Sequence, residues 1–245
     1  MNKSVRLSKR EQLREKRQKA QNRKKALFIG GIFIIALVIT WIVIYPSLGP
    51  EKIVMVTPVV RPNEQGLSID DPNAPVKVVE IADFQCPGCK LFSDEYEQAF
   101  ESKYVATGKV YFTYRPFSFL DKYDTRAHPL KESHAAAEAA YCASDQEKFW
   151  EYHDMLYANQ TGENSGDFTD KRLTAFAQAL GLDMNKYNDC YTSRKYKQKV
   201  IDDYTVSIND NVAQTPSFLV NGKLVILKDL NTTIDAGLAE SKLSP

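Results

Sequence analysis

The sequence predicts an α/β fold in which a small mixed sheet carries an inserted block of helices, preceded by a single N-terminal transmembrane helix. Three observations predict it. An uncharged run of bilayer length follows a basic tail. A β-branched run hands over directly to a helix at a Cys-x-x-Cys pair. A long stretch of helical periodicity then separates that unit from an Asn-Gly hairpin near the C-terminus.

Charge divides the chain before any motif does. The net charge is +1 over 245 residues. Residues 1–25 hold 11 Lys or Arg against Glu11 and Glu15, and residues 26–50 hold no charged side chain. Residues 51–245 hold 21 basic and 29 acidic side chains, a net of −8. Two environments are implied. Ala26–Tyr45 has only Thr40, Trp41 and Tyr45 as polar side chains. As a helix its 20 residues span about 30 Å, a hydrocarbon core. Trp41 and Tyr45 suit the interfacial belt at its far end. Lys and Arg crowd the N-terminal flank, so the positive-inside rule keeps residues 1–25 cytoplasmic and exports the rest. The run is longer than a secretory core, and the best small-x-small site, Ser47-Leu48-Gly49, meets Pro50 at once, which reads as an uncleaved signal-anchor. Beside such a helix the basic tail orients the chain and meets anionic lipid, and no nucleic-acid partner is expected.

Residues 46–70 read as a proline-rich linker with one short strand at Ile53–Val60. The folded domain is expected over 71–245. Pro75 to Phe84 is apolar and β-branched, a buried strand, and a helix follows from Pro87 to about Tyr104. Lys109–Arg115 is a second strand, parallel to the first through a right-handed crossover. From about 128 to 208 the periodicity is helical, beginning with the alanine-rich His134–Ala143. Phe149, Trp150 and Tyr157 read as the core of this insertion. Ser217–Val220, Asn221-Gly222 and Lys223–Leu227 form a hairpin, and a helix over about 229–242 ends the chain.

Chemistry concentrates at Cys86-Pro87-Gly88-Cys89. Disulfide exchange needs a thiolate, and a helix N-terminus stabilises one with unpaired N–H groups and a partial positive charge. Pro87 fits the first helical position, where a missing N–H costs nothing. Cys89, one turn on, lies under Cys86 and can close the disulfide. A zinc half-site would need a second close pair, and a purely structural bridge across one turn gains little. Motif, helix start and exported location together favour redox chemistry. All four cysteines fall on the exported side, where an even count points to disulfides. Cys142 and Cys190, 48 residues apart in the helical block, are expected to form a structural one. His128, His134 and His153 are scattered and read as ordinary histidines; no metal site and no cofactor are expected. Phe117 and Phe119 are open between core and a groove near the motif.

From about Asp71 to Leu238 the chain resembles the DsbA-like thioredoxin-fold oxidoreductases of bacterial envelopes. The residues that carry the resemblance are Asp71-Pro72-Asn73-Ala74-Pro75-Val76, Asp83-Phe84-Gln85-Cys86-Pro87-Gly88-Cys89, Ala136 to Cys142, and Thr215-Pro216-Ser217-Phe218 leading to Asn221-Gly222-Lys223. The resemblance implies that Cys86 is the exposed nucleophile and Cys89 the buried resolving thiol. It implies a cis Thr215–Pro216 bond facing them, and an exposed Thr215 backbone that pairs with extended substrate. It places Glu80, six residues before Cys86, as a buried acid beneath the resolving cysteine, with Asp83 a rival for part of that role. Substrates would be exported protein thiols. A membrane partner, DsbB-like or of the vitamin K epoxide reductase type, would restore the disulfide. The expected function is introduction of disulfides by a membrane-anchored enzyme acting as a monomer. The alternatives are an anchored reductase, an isomerase, or a binding protein or chaperone without the chemistry. The Pro-Gly dipeptide lacks the His of DsbA itself, which implies a less oxidising enzyme.

Overall fold

A computed structural model of the chain describes residues 9–44, 51–123 and 131–243; Tyr45, the 46–50 stretch and His128 lie outside the described residues. It comprises two units, 1–50 and 51–245. The first contains one helix, α1 (Lys9–Ile44). Its Lys16–Ile42 stretch is long and apolar enough to cross a membrane, with mean hydropathy 2.3 and none of that window buried. Leu27, Phe28, Phe33 and Trp41 are all exposed on it.

The second unit is built on a five-stranded sheet. Its strands are β1 (Ser68–Ile69), β2 (Val76–Ala82), β3 (Val110–Pro116), β4 (Ser217–Val220) and β5 (Lys223–Ile226), in the order β1-β3-β2-β4-β5. β2 and β3 are parallel, and the other pairs are antiparallel. β2 is the central strand, which explains its near-continuous apolar sequence. A helical run over 87–105, α2, crosses from β2 to β3. It starts as α-helix (Pro87–Phe92) and contains two π-helical turns, Ser93–Glu97 and Glu101–Val105. Asn221 and Gly222 take φ of 48° and 82°, the left-handed pair that a two-residue hairpin turn requires.

Five helices form the insertion: α3 (Glu132–Ser144), α4 (Phe149–Ala158), α5 (Asp170–Ala179), α6 (Met184–Thr192) and α7 (Lys197–Asn209). α8 (Leu230–Ser241) closes the domain. The aromatic residues of α4 do more than fill the insertion. Trp150 packs on Phe112 of β3 at 5.7 Å, Phe149 on Tyr114 at 5.6 Å and Tyr157 on Phe84 at 5.4 Å, so they form the seam between insertion and sheet. Phe117 is fully buried against Phe119 and Tyr204, a second small core and not a groove lining.

The segment read as linker is partly built into this unit. Residues 51–61 form no strand. Instead the Val54 N–H donates to Asn159 Oδ1 at 2.7 Å and the Asn159 amide donates to the Val54 carbonyl at 2.9 Å. A side chain supplies the partners that a neighbouring strand would have supplied, so the extended pattern survives without a ladder. Arg61 is buried. It donates to both oxygens of Asp154, each at 2.9 Å, and to Glu101 at 2.7 Å, and lies 5.0 Å over Trp150. Ser68 and Ile69 then pair with Thr113 and Phe112 at the sheet edge.

Cys142 on α3 and Cys190 on α6 are joined by a disulfide, closing a separation of 48 residues. Replacing both by Ala is expected to cost about 2–4 kcal/mol, hence roughly 5–15 °C in Tm. Thermal melts of the double variant check this; an unchanged Tm, or two free thiols found by mass spectrometry of unreduced protein, would refute it.

Candidate active site

β2 delivers the site. Its ladder ends at Ala82, where Phe117 N–H donates to the Ala82 carbonyl, and the chain turns through 83–86 into α2. Cys86 is the N-cap of α2, with extended backbone at φ −72° and ψ 121°, and Pro87 follows at the first helical position. The Cys86 carbonyl accepts the first helical bonds, from Cys89 N–H at 3.1 Å and Lys90 N–H at 3.0 Å. Cys86 is 8% exposed and Cys89 is fully buried; both are free thiols.

Across from them, Thr215–Pro216 is cis and leads into β4. Cys86 Sγ lies 3.4 Å from the Thr215 carbonyl. Gly88 faces the same loop: a Cβ there would stand 3.3 Å from Pro216 Cδ and 3.5 Å from the Thr215 carbonyl. The structure therefore brings together Cys86, Pro87, Gly88, Cys89, Thr215 and Pro216.

The two thiols are driven apart in acidity. Cys86 is pulled down to about 6, first by a hydrogen bond from the Cys89 side chain. Burial opposes this, and the Thr215 side chain and the N–H groups of Cys89 and Gly88 add to it. Cys89 is pushed well up, chiefly by burial and then by the adjacent Cys86 and Glu80. Reduced protein at neutral pH therefore holds one thiolate and one thiol.

Glu80 sits on β2 between Tyr114 of β3 and Phe218 of β4, 1% exposed, with Oε2 unpartnered. Burial, followed by the charges of Glu97, Glu101 and Cys86, raises it well above the usual carboxylate range. Asp83 is raised to about 7 by burial, although it accepts from Leu120 N–H, Ser133 Oγ and Gln85 N–H. Those bonds give it a scaffolding position at the root of the loop, while Glu80 keeps an unengaged oxygen. Glu97, His153 and Asp154 place possible ligand atoms within 4.8 Å of one another. The Arg61 guanidinium already holds Asp154, and His153 Nδ1 lies 3.0 Å from the same carboxylate, inside the aromatic seam. His134 pairs with Glu138 at 3.1 Å, on α3.

A family model described as thioredoxin matches residues 62–236. The chain belongs to the thioredoxin family. Within it, the chain has a DsbA-like fold. It is 28% identical over 203 residues to the probable disulfide bond formation protein D of Bacillus anthracis, covering 82% of this chain and 89% of that one. The crystal structure of oxidised BdbD from Bacillus subtilis shares the fold at a TM-score of 0.60 and 21% identity, over 77% of this chain and 100% of that one. The chain is also 31% identical over 176 residues to Na(+)/H(+) antiporter NhaA 3 of Salinispora tropica. That match spans 70% of this chain but only 24% of the antiporter's length.

The sequence alone does not expose Gln85 and Gln160. Gln85 is fully buried and Gln160 is 5% exposed. Gln160 Nε2 donates to the Phe84 carbonyl at 2.8 Å and to the Cys86 carbonyl at 3.0 Å. The only available signal was a glutamine inside the family motif; nothing marked the second one.

Proposed function

We propose that the chain introduces disulfide bonds into exported proteins, from a domain held on the outer face of a membrane by residues 26–45. Cys86 carries the reading. A thiolate stabilised at the start of α2 lowers the free energy of the reduced enzyme, and this makes its disulfide an oxidant. The name of the Bacillus relatives, disulfide bond formation protein D, supports the same direction. The basic flank of α1 and its apolar stretch support the placement.

A substrate thiolate attacks Cys86 Sγ of the Cys86–Cys89 disulfide. The S–S bond breaks, Cys89 leaves as a thiolate, and the protonated Glu80 carboxyl supplies its proton. A second substrate thiolate then attacks the substrate sulfur of the mixed disulfide. The substrate leaves oxidised by two electrons, and Cys86 leaves as the stabilised thiolate. The Thr215 backbone beside cis-Pro216 aligns the substrate as an added strand. A membrane quinone-linked oxidase, DsbB-like or of the vitamin K epoxide reductase type, takes the electrons from the reduced pair.

The test is the reduction potential of the full-length chain in detergent, titrated against glutathione across pH. A value of about −120 to −180 mV supports oxidation of substrates, whereas one near about −270 mV makes the chain a reductase. The pH dependence has a definite sign. Below pH 6 reduction takes up two protons, and the potential should fall by about 59 mV per pH unit. Above pH 6 only Cys89 is protonated, and the slope should ease to about 30 mV. In a Glu80→Gln variant the break stays near pH 6 while exchange slows by about 10²-fold. A single slope throughout, or an unslowed variant, would remove these assignments.

A further inference from the structure

The loop over 83–86 makes few bonds to its own strand neighbours and many to the helical insertion. Gln160, two residues beyond α4, holds the Phe84 and Cys86 carbonyls through one amide nitrogen. Gln85 donates to Ser133 Oγ on α3 at 2.7 Å and accepts from the Asn164 N–H at 2.6 Å. Ser133 Oγ donates in turn to Asp83 Oδ1 at 2.7 Å. Three segments of the insertion, around 133, 160 and 164, therefore end on this one loop.

The contact to the Cys86 carbonyl matters most. The same oxygen accepts the first two helical bonds of α2, so it fixes the peptide plane between Cys86 and Pro87. That plane decides where the Gly88 and Cys89 N–H groups point relative to Cys86 Sγ. Gln160 adds a third donor to this oxygen, from outside the helix, and so ties the carbonyl's direction to the insertion as well as to the helix axis.

We propose that Gln160, supported by Gln85 and Ser133, is a positioning residue through which the helical insertion holds the N-cap of the redox helix and so governs the reactivity of Cys86. This rests on the reading of Cys86 as the nucleophile. It gives the insertion a part in the chemistry without touching substrate.

Two variants of the full-length chain test it. Gln160→Glu keeps the volume but replaces the donating amide by a carboxylate, and Gln160→Ala removes the group. Each is expected to raise the pH of half-maximal alkylation at Cys86 by about one unit, a tenfold loss of thiolate stabilisation. Each should also make the potential more negative by about 30 mV, tenfold in the exchange equilibrium. Asn159→Ala, next in the chain but bonded to Val54, should leave both values at those of the wild type. The proposal is overturned if both Gln160 variants, folded by circular dichroism and with Cys142–Cys190 intact, alkylate and titrate as the wild type does. If wild-type Cys86 itself alkylates like an ordinary cysteine, near about pH 8.5, the nucleophile reading fails and takes the proposal with it.

Discussion

Replacing Cys89 by Ser is expected to turn catalysis into capture. In that variant the Cys86 thiolate can still attack a substrate disulfide and form a mixed disulfide, but the intramolecular attack of Cys89 on Cys86 Sγ that would release it is lost, since a Ser hydroxyl cannot attack sulfur. A chain in which Cys86 alone remains should accumulate one substrate per molecule through an intermolecular disulfide, visible on non-reducing gels and released by dithiothreitol. Cys86→Ser should do neither. Its remaining thiol, Cys89, is fully buried and held protonated by its surroundings, so it offers no thiolate to an incoming disulfide. Insulin reduction by that variant should fall to the buffer background. Activity retained after Cys86→Ser would remove this residue from the mechanism, and a Cys89→Ser chain that turns over without trapping would reverse the two roles.

The second large effect belongs to stability. Arg61→Ala would leave Asp154 and Glu101 buried without their shared cation. Breaking a buried pair on one side costs about 3–5 kcal/mol, because the stranded charge keeps its desolvation penalty. In a domain of this size that is roughly 6–20 °C in Tm. The pH dependence follows from Asp154. Burial pushes its carboxyl up, but the hydrogen bonds from His153 and Arg61 win and hold it down to about 2. A depressed carboxylate stabilises the fold above its unfolded value of about 3.9, and that contribution disappears as pH falls toward 2. Wild type should therefore lose more stability between about pH 4 and 2 than the variant does, because Arg61→Ala has already lost part of it. Equal melting temperatures at neutral pH would show that the ion pairs contribute nothing net.

Much of this is legible in the sequence because local and global signals agree. The β-branched run of β2, the Cys-Pro-Gly-Cys handover and the Asn-Gly turn each specify one local conformation, and each is used as such. What is not legible depends on groups that meet only after folding. Ile53–Val60 has the composition of a strand, yet its partner is the Asn159 side chain, 105 residues away from Val54. Arg61 looks like a linker charge until Glu101 and Asp154 arrive from α2 and α4. Phe149, Trp150 and Tyr157 are readable as buried but not as a seam, since periodicity reports a helix's apolar face and not what that face meets. Of the site, the redox pair and the Thr-Pro before β4 have motifs. Gln160 has none, because a buried amide on a carbonyl can be supplied from any element that ends nearby.

Gly88 has a consequence for access. It is the one position of the motif with no side chain, and a Cβ there would be slightly tight against Pro216 Cδ, at 3.3 Å, and in ordinary contact with the Thr215 carbonyl, at 3.5 Å. The gap between the redox helix and the proline loop therefore leaves little clearance at this position. A residue larger than glycine there needs Pro216 to give by a few tenths of an ångström, next to the edge on which a substrate strand would lie. The inter-cysteine dipeptide thus acts as a gauge of clearance as well as of charge. Two enzymes with equal thiolate stability can still differ in which peptides reach the sulfur.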